Sequence, residues 1–144
     1  MTNGAIDLVP YLSFDGDCEE ALNFYKEILD GRVEIITRYD NPAMNAPEEY
    51  KNKVLHARFY FGNQSLFASD VMPGKSGNML PPGKIALSLG LTDEKEARRI
   101  FDRLAEGGRV GIPFKKQFWG DWHGNLVDRY GVRWMLNAAK GDGA

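Results

Sequence analysis

The feature that most constrains this chain is a repeat. At an offset of 76 residues, Asp17, Glu20, Ala21, Phe24, Tyr25, Ile28 and Gly31 recur as Asp93, Glu96, Ala97, Ile100, Phe101, Leu104 and Gly107. Each copy opens with Asp followed three residues later by Glu, the capping-box pattern of a helix start. Apolar residues then return at helical spacing and define one buried face, and a glycine marks the stop. Leu22 and Leu29 widen the first stripe. Cap, stripe and terminator coinciding at one offset mark an internal duplication.

Strand signals surround both helices. Residues 8–14 and 84–91 are short apolar runs ahead of the helices, with Pro10 favouring an edge or strand end in the first. After the first helix, 33–39 reads as a strand, 40–52 as a mobile loop or lid, and 54–61 and 65–70 as a hairpin turning at Gly62-Asn63. After the second, strands are expected over 109–113, about 123–128, and 132–137. The fold class is therefore α+β. Two βαβββ modules, about 5–72 and 83–138, are joined by the Pro/Gly-rich linker 71–83 into a single domain over 1–144. The two halves are expected to share one curved mixed sheet, with helices on its convex side and a concave central pocket.

Charge and composition narrow the partners. The net charge of −2 and the lack of a basic run argue against nucleic acid, and the apolar runs are too short to span a membrane. The N-terminal MTNGAIDL has no signal-peptide pattern, and Cys18 is the only cysteine, so a cytoplasmic location is expected.

Candidate site residues come from two places. Along 54–61, Leu55, Ala57, Phe59 and Phe61 alternate with Val54, His56, Arg58 and Tyr60. If the apolar set meets a helix, His56 faces the pocket as a general base or lone ligand and Arg58 faces it as an anion contact. Either could instead be structural, with Arg58 packing its stem on an aromatic ring. The stretch 118–137 carries all three tryptophans. There Trp119 is read as a pocket wall, Asp121 as a ligand contact and Trp134 as pocket lining. His123 is read as an exposed turn residue, and Asp128 as bonding the backbone of a tight turn that Gly131 completes. Tyr11 and Lys84, on the first strands of the two halves, complete the ligand-binding set. Asp70 is assigned a loop-capping role, and Cys18 that of a small buried apolar residue.

The words PYLSFDGDCEEALNFYKEIL, LHARFYFG, SLFASD, KIALSLGL, FWGD and VDRYGVRWMLN run from residue 10 to residue 137. Together they resemble the vicinal oxygen chelate superfamily of glyoxalases, bleomycin-resistance proteins and dioxygenases. The closer likeness is to its PhnB-like branch, labelled 3-demethylubiquinone-9 3-methyltransferase-like. The resemblance implies the doubled fold, a small-molecule pocket and a homodimer. Metal-dependent members carry a His or Glu on each of four inner strands. Here residues 8–14, 65–69 and 84–91 supply no such side chain, and Met135 stands at or beside the position of a family Glu. No cofactor is therefore assigned, and a divalent metal would need a non-standard site.

Two functional classes compete on this reading. One is a metal-independent small-molecule binder. The other is a lyase or isomerase using His56 with a residual or non-standard metal site. The methyltransferase of the family label lacks the glycine-rich nucleotide turn that an adenosyl cofactor would call for.

Overall fold

Both helices form where the repeat places them. In the computed structural model of the chain, which describes residues 7–74 and 85–139, α1 spans Cys18–Leu29 and α2 spans Glu94–Ala105. The chain divides into two units, Met1–Leu80 and Pro81–Ala144, with one of these α-helices in each.

The first module comprises β1 (Tyr11–Phe14), α1, β2 (Arg32–Arg38), β3 (Val54–Phe61) and β4 (Gln64–Asp70). Its sheet order is β1-β4-β3-β2, with β1 parallel to β4 and the other pairs antiparallel. The second comprises β5 (Leu87–Leu91), α2, β6 (Arg109–Lys116), β7 (Trp122–Val127) and β8 (Arg133–Ala138), in the matching order β5-β8-β7-β6. The duplicated α+β unit is thus present as two four-stranded mixed sheets. The sequence suggested one sheet shared by both halves, but the strand pairing of the described residues stays within each module. No described helix is long and apolar enough to cross a membrane.

Each sheet has a helix side and an open side. In the first module α1 buries Ala21, Leu22, Phe24, Tyr25 and Ile28 over Ala57, Phe59, Leu66 and Ala68, and the Tyr25 and Phe59 rings lie 6.4 Å apart. Burying each large apolar side chain stabilises by about 1.5–3 kcal/mol, so this layer is the main driving force for the module. In the second, Ala97, Ile100, Phe101 and Leu104 cover a stacked series in which Phe101 lies 5.6 Å from Phe114, and Phe114 5.7 Å from Trp122.

Two local expectations change. Asp30, not Gly31, adopts the left-handed conformation that ends α1 (φ 53°). Gly31 is needed for space instead, because a Cβ there would come within 2.5 Å of the Phe59 ring and 2.7 Å of the Tyr60 carbonyl oxygen. The cap of α1 is also different. Asp93 caps α2 through its own side chain, accepting from the Lys95 and Glu96 amides, whereas the Asp17 side chain makes no capping bond. The cap comes from β4. Asp70 Oδ1 accepts from the Gly16 and Cys18 amides at 3.0 and 2.9 Å, and Oδ2 accepts from Val54 N–H at 2.9 Å.

The segment read as a mobile lid is strapped down. Two 3-10 turns, Pro42–Met44 and Glu48–Tyr50, carry Tyr50 into the core beside Tyr39, their rings 5.3 Å apart. The Tyr39 hydroxyl donates to the Asp70 carbonyl at 2.7 Å, and the Tyr50 hydroxyl donates to the Val71 carbonyl. Arg38 adds a bidentate bond to Glu19 at 2.9 and 3.0 Å and a bond to the Asn52 carbonyl at 2.7 Å.

Asp70→Ala should leave three amide donors without their acceptor and lower unfolding stability by about 2–4 kcal/mol. Urea denaturation checks this, and a loss below about 0.5 kcal/mol would mean that water replaces the carboxylate. Cys18 is fully buried, and burial first, then the nearby Asp70 charge, pushes its thiol well above the ordinary range. The native protein should therefore resist Ellman's reagent at neutral pH and react only when unfolded; rapid native labelling would contradict that burial.

Candidate functional site

Strand alternation turns the polar half of each sheet away from its helix. In the first module the open side carries Tyr11 and Ser13 from β1, Ser65, Phe67 and Ser69 from β4, His56, Arg58 and Tyr60 from β3, and Glu34 from β2. The register aligns four of them in one row across the sheet: Tyr11 pairs with Phe67, Phe67 with Arg58, and Arg58 with Glu34.

His56 stands beside this row. Its Nδ1 is 3.1 Å from the Tyr11 hydroxyl, and its ring lies 5.8 Å from Tyr11 and 5.4 Å from Phe67, edge-on to the latter. The two rings and the imidazole form an aromatic patch, and Tyr11 remains 53% exposed at its margin.

Arg58 is unusual in what it lacks. Its Cζ lies 5.4 Å from the centre of the Phe67 ring. Its Nε is buried and, among the described residues, has no hydrogen-bond partner. Glu34, opposite on β2, instead accepts from the Tyr60 hydroxyl at 3.3 Å, while Arg32 lies over the Tyr60 ring at 4.5 Å. A guanidinium offers five donors in a fixed fork, and a buried donor left unpaired costs about 1–3 kcal/mol. Phe67 and Glu34 were missed in the sequence. Counting back from the Gly62-Asn63 turn would have placed Phe67 opposite Arg58, whereas the β2 register is broken by bulges and gave no such signal.

The second module treats its expected residues differently. Trp134 is 1% exposed, and its indole N–H donates to Asp128 Oδ2 at 2.9 Å. It lies on the helix side with Leu136, so its place is the core and not a ligand-facing wall. Asp128 bonds its turn as expected, accepting from the Tyr130 and Val132 amides. Trp119 is half-exposed and packs edge-on to the exposed Phe118 at 4.8 Å. Asp121 lines an open cleft of about 620 Å³ together with Thr92, Asp93 and Asn137. Lys84 lies outside the described residues.

His123 is a strand residue, as the strand expected over about 123–128 has it, and not the exposed turn residue of the site reading. It lies within β7, its Nδ1 2.7 Å from Asn137 Oδ1, and Asn137 Nδ2 donates to the Ser88 hydroxyl at 3.1 Å.

The inner-strand donor set of a divalent metal is not matched. The open-side positions of β1, β4, β5 and β8 hold Tyr, Ser, Phe, Gly, Arg, Met and Asn, none a carboxylate or imidazole. Asp70, the one carboxylate on these strands, faces the helix and is used by three amides. Among the described residues no three His, Cys, Asp or Glu side chains converge. A divalent ion needs several such donors at about 2 Å, so these residues do not fit it.

Two βαβββ modules of this topology, each a four-stranded mixed sheet with its helix on one side, have the glyoxalase-type fold. Distant chains described as a glyoxalase-related enzyme from Fulvimarina pelagi and a glyoxylase/bleomycin resistance protein/dioxygenase domain from Frankia share the fold at 19% and 15% identity, with TM-scores of 0.58 and 0.62. The chain belongs to the family described as 3-demethylubiquinone-9 3-methyltransferase, whose model matches residues 6–137. It is similar to Protein YjdN of Escherichia coli K12, at 30% identity over 143 residues, covering 92% of this chain and 95% of YjdN. Among solved structures it is similar to PA1353 of Pseudomonas aeruginosa, at 36% identity and TM-score 0.78 over 93% of this chain and 98% of the other. It is also similar to a PhnB protein from Bacillus cereus, at 28% identity and TM-score 0.79 over 93% and 100%.

Proposed function

We propose that the protein binds a small organic anion on the open face of its first module, without the four-ligand metal site of the superfamily's metalloenzymes. Arg58 contacts the anionic group, and Phe67, Tyr11 and His56 wall the apolar part of the ligand. The observation that carries this reading is the buried, unpartnered Nε of Arg58 over the Phe67 ring. A carboxylate or phosphonate would supply the missing acceptor as a charge-assisted pair.

One observation favours a second reading, a lyase or isomerase. The Tyr11 contact holds His56 at Nδ1 and leaves Nε2 as the ring position for proton transfer. The methyltransferase activity in the family description finds less support in these modules. Among the described residues each sheet has a single parallel strand pair, β1 with β4 and β5 with β8, and not the doubly wound parallel sheet whose first turn holds an adenosyl cofactor.

Arg58→Gln should weaken binding of benzoate or phenylphosphonate by roughly 10-fold or more, the loss expected for a hydrogen bond to a charged group, as read by isothermal calorimetry. Unchanged affinity would remove Arg58 from the site. For a binder, His56→Ala should lose only modest affinity, whereas an enzyme using His56 as base should lose about 100-fold or more in turnover.

Elemental mass spectrometry of untagged protein purified without chelator should find substoichiometric Zn, Ni, Mn and Fe. Near one equivalent of any of these would defeat the metal-free reading and bring the enzyme forward.

A further inference from the structure

The only two histidines of the chain occupy equivalent places in the two modules. In the first, Ala68 pairs with both Leu12 and Ala57, and His56 immediately precedes Ala57. In the second, Leu136 pairs with both Leu89 and Gly124, and His123 immediately precedes Gly124. Gly124 faces α2, because a Cβ there would come within 2.8 Å of the Phe101 ring. His123 therefore projects to the open side, as His56 does.

What holds each imidazole differs. The place of Tyr11 on the first strand is taken by Ser88, whose hydroxyl is too short to cross β8 to the histidine. The place of Ser69 is taken by Asn137, and its carboxamide bridges the gap. Its Nδ2 donates to Ser88 Oγ at 3.1 Å, and its Oδ1 faces His123 Nδ1 at 2.7 Å. The Tyr11 phenol can donate or accept, so it leaves the His56 tautomer open. A carboxamide oxygen only accepts, so His123 must carry its proton on Nδ1.

We propose that Ser88, Asn137 and His123 form an electron-pair-donor site on the second module. Asn137 and Ser88 are positioning residues that hold neutral His123 as the Nδ1–H tautomer, and the lone pair of Nε2 accepts a hydrogen bond from a ligand hydroxyl. No described hydrogen bond uses Nε2. Asn137, though not His123 itself, lines the open cleft of about 620 Å³, and the half-buried His123 ring is reached from the open side of the sheet. The assignment does not depend on Arg58 or on the first module, so either site can fail without the other.

Long-range ¹H–¹⁵N spectra of the ¹⁵N-labelled full chain, recorded above the histidine titration range, test it. His123 should show a protonated Nδ1 and an unprotonated Nε2. Asn137→Leu should shift the ring toward the Nε2–H form, Asn137→Asp should retain the Nδ1–H form, and Ser88→Ala should broaden or partly shift it. Phenol added to the wild type should move the Nε2 resonance, while anisole, which lacks the hydroxyl, should not. A wild-type ring protonated on Nε2 would mean that Asn137 turns its amino group to His123, and the proposal falls. A response to anisole equal to that for phenol, or no response to phenol, would overturn the acceptor role.

Discussion

The first module depends on one carboxylate. Asp70 gathers three amides from two separate chain segments, two at the entry to α1 and one at the start of β3. The two segments are far apart in sequence, and the buried Cys18 and Val54 amides would otherwise be unpaired, at about 1–3 kcal/mol each. The same residue offers its carbonyl to Tyr39, and the next offers its carbonyl to Tyr50, so the long loop is tied to the same point. The second module places its buried aspartate elsewhere. Asp128 satisfies the β7–β8 turn and the Trp134 indole, and α2 is left to cap itself with Asp93. Both solutions obey one rule, that a buried acid must be surrounded by donors.

Duplication preserved the frame and released the faces. The helix sides of both sheets are aromatic and aliphatic layers, because that burial holds each module together. The open sides carry no such obligation. The row Tyr11, Phe67, Arg58 of the first module is answered in the second by Ser88, Met135 and Asn125. Asn125 spends its side-chain oxygen on the Ile112 amide beside the β6 bulge, and so closes a backbone defect where Arg58 presents a cation. Two modules of one topology thus carry different open faces, a guanidinium against a phenyl ring in one and a Ser–Asn–His chain of hydrogen bonds in the other. Fold membership alone could not have separated them.

Legibility followed the range of each interaction. The helices appeared at the expected offset because period and stop signals are local. The β3 alternation correctly sorted His56 and Arg58 from Ala57 and Phe59. The errors lie where a side-chain contact outside the local pattern intervened. Asp17 looked like a cap, but the cap comes from Asp70, more than fifty residues on. Residues 40–52 looked mobile, but Tyr50 anchors them. Trp134 looked like a pocket wall, but Asp128 answers its indole in the core. His123 stood both in an expected strand and in an exposed turn, and the β7 pairing decided for the strand, with Asn137 holding the ring.

The sequence by itself determined the duplicated α+β plan, the faces of both helices and the family, since all three are written in short-range periodicity and word order. Only the tertiary structure decided which polar groups are satisfied and which stand ready for a partner. A hydrogen bond depends on where two chain segments meet and not on their composition. The pairing of β3 with β4 sets Arg58 over Phe67 with its Nε unanswered, and the pairing of β7 with β8 sets His123 against Asn137.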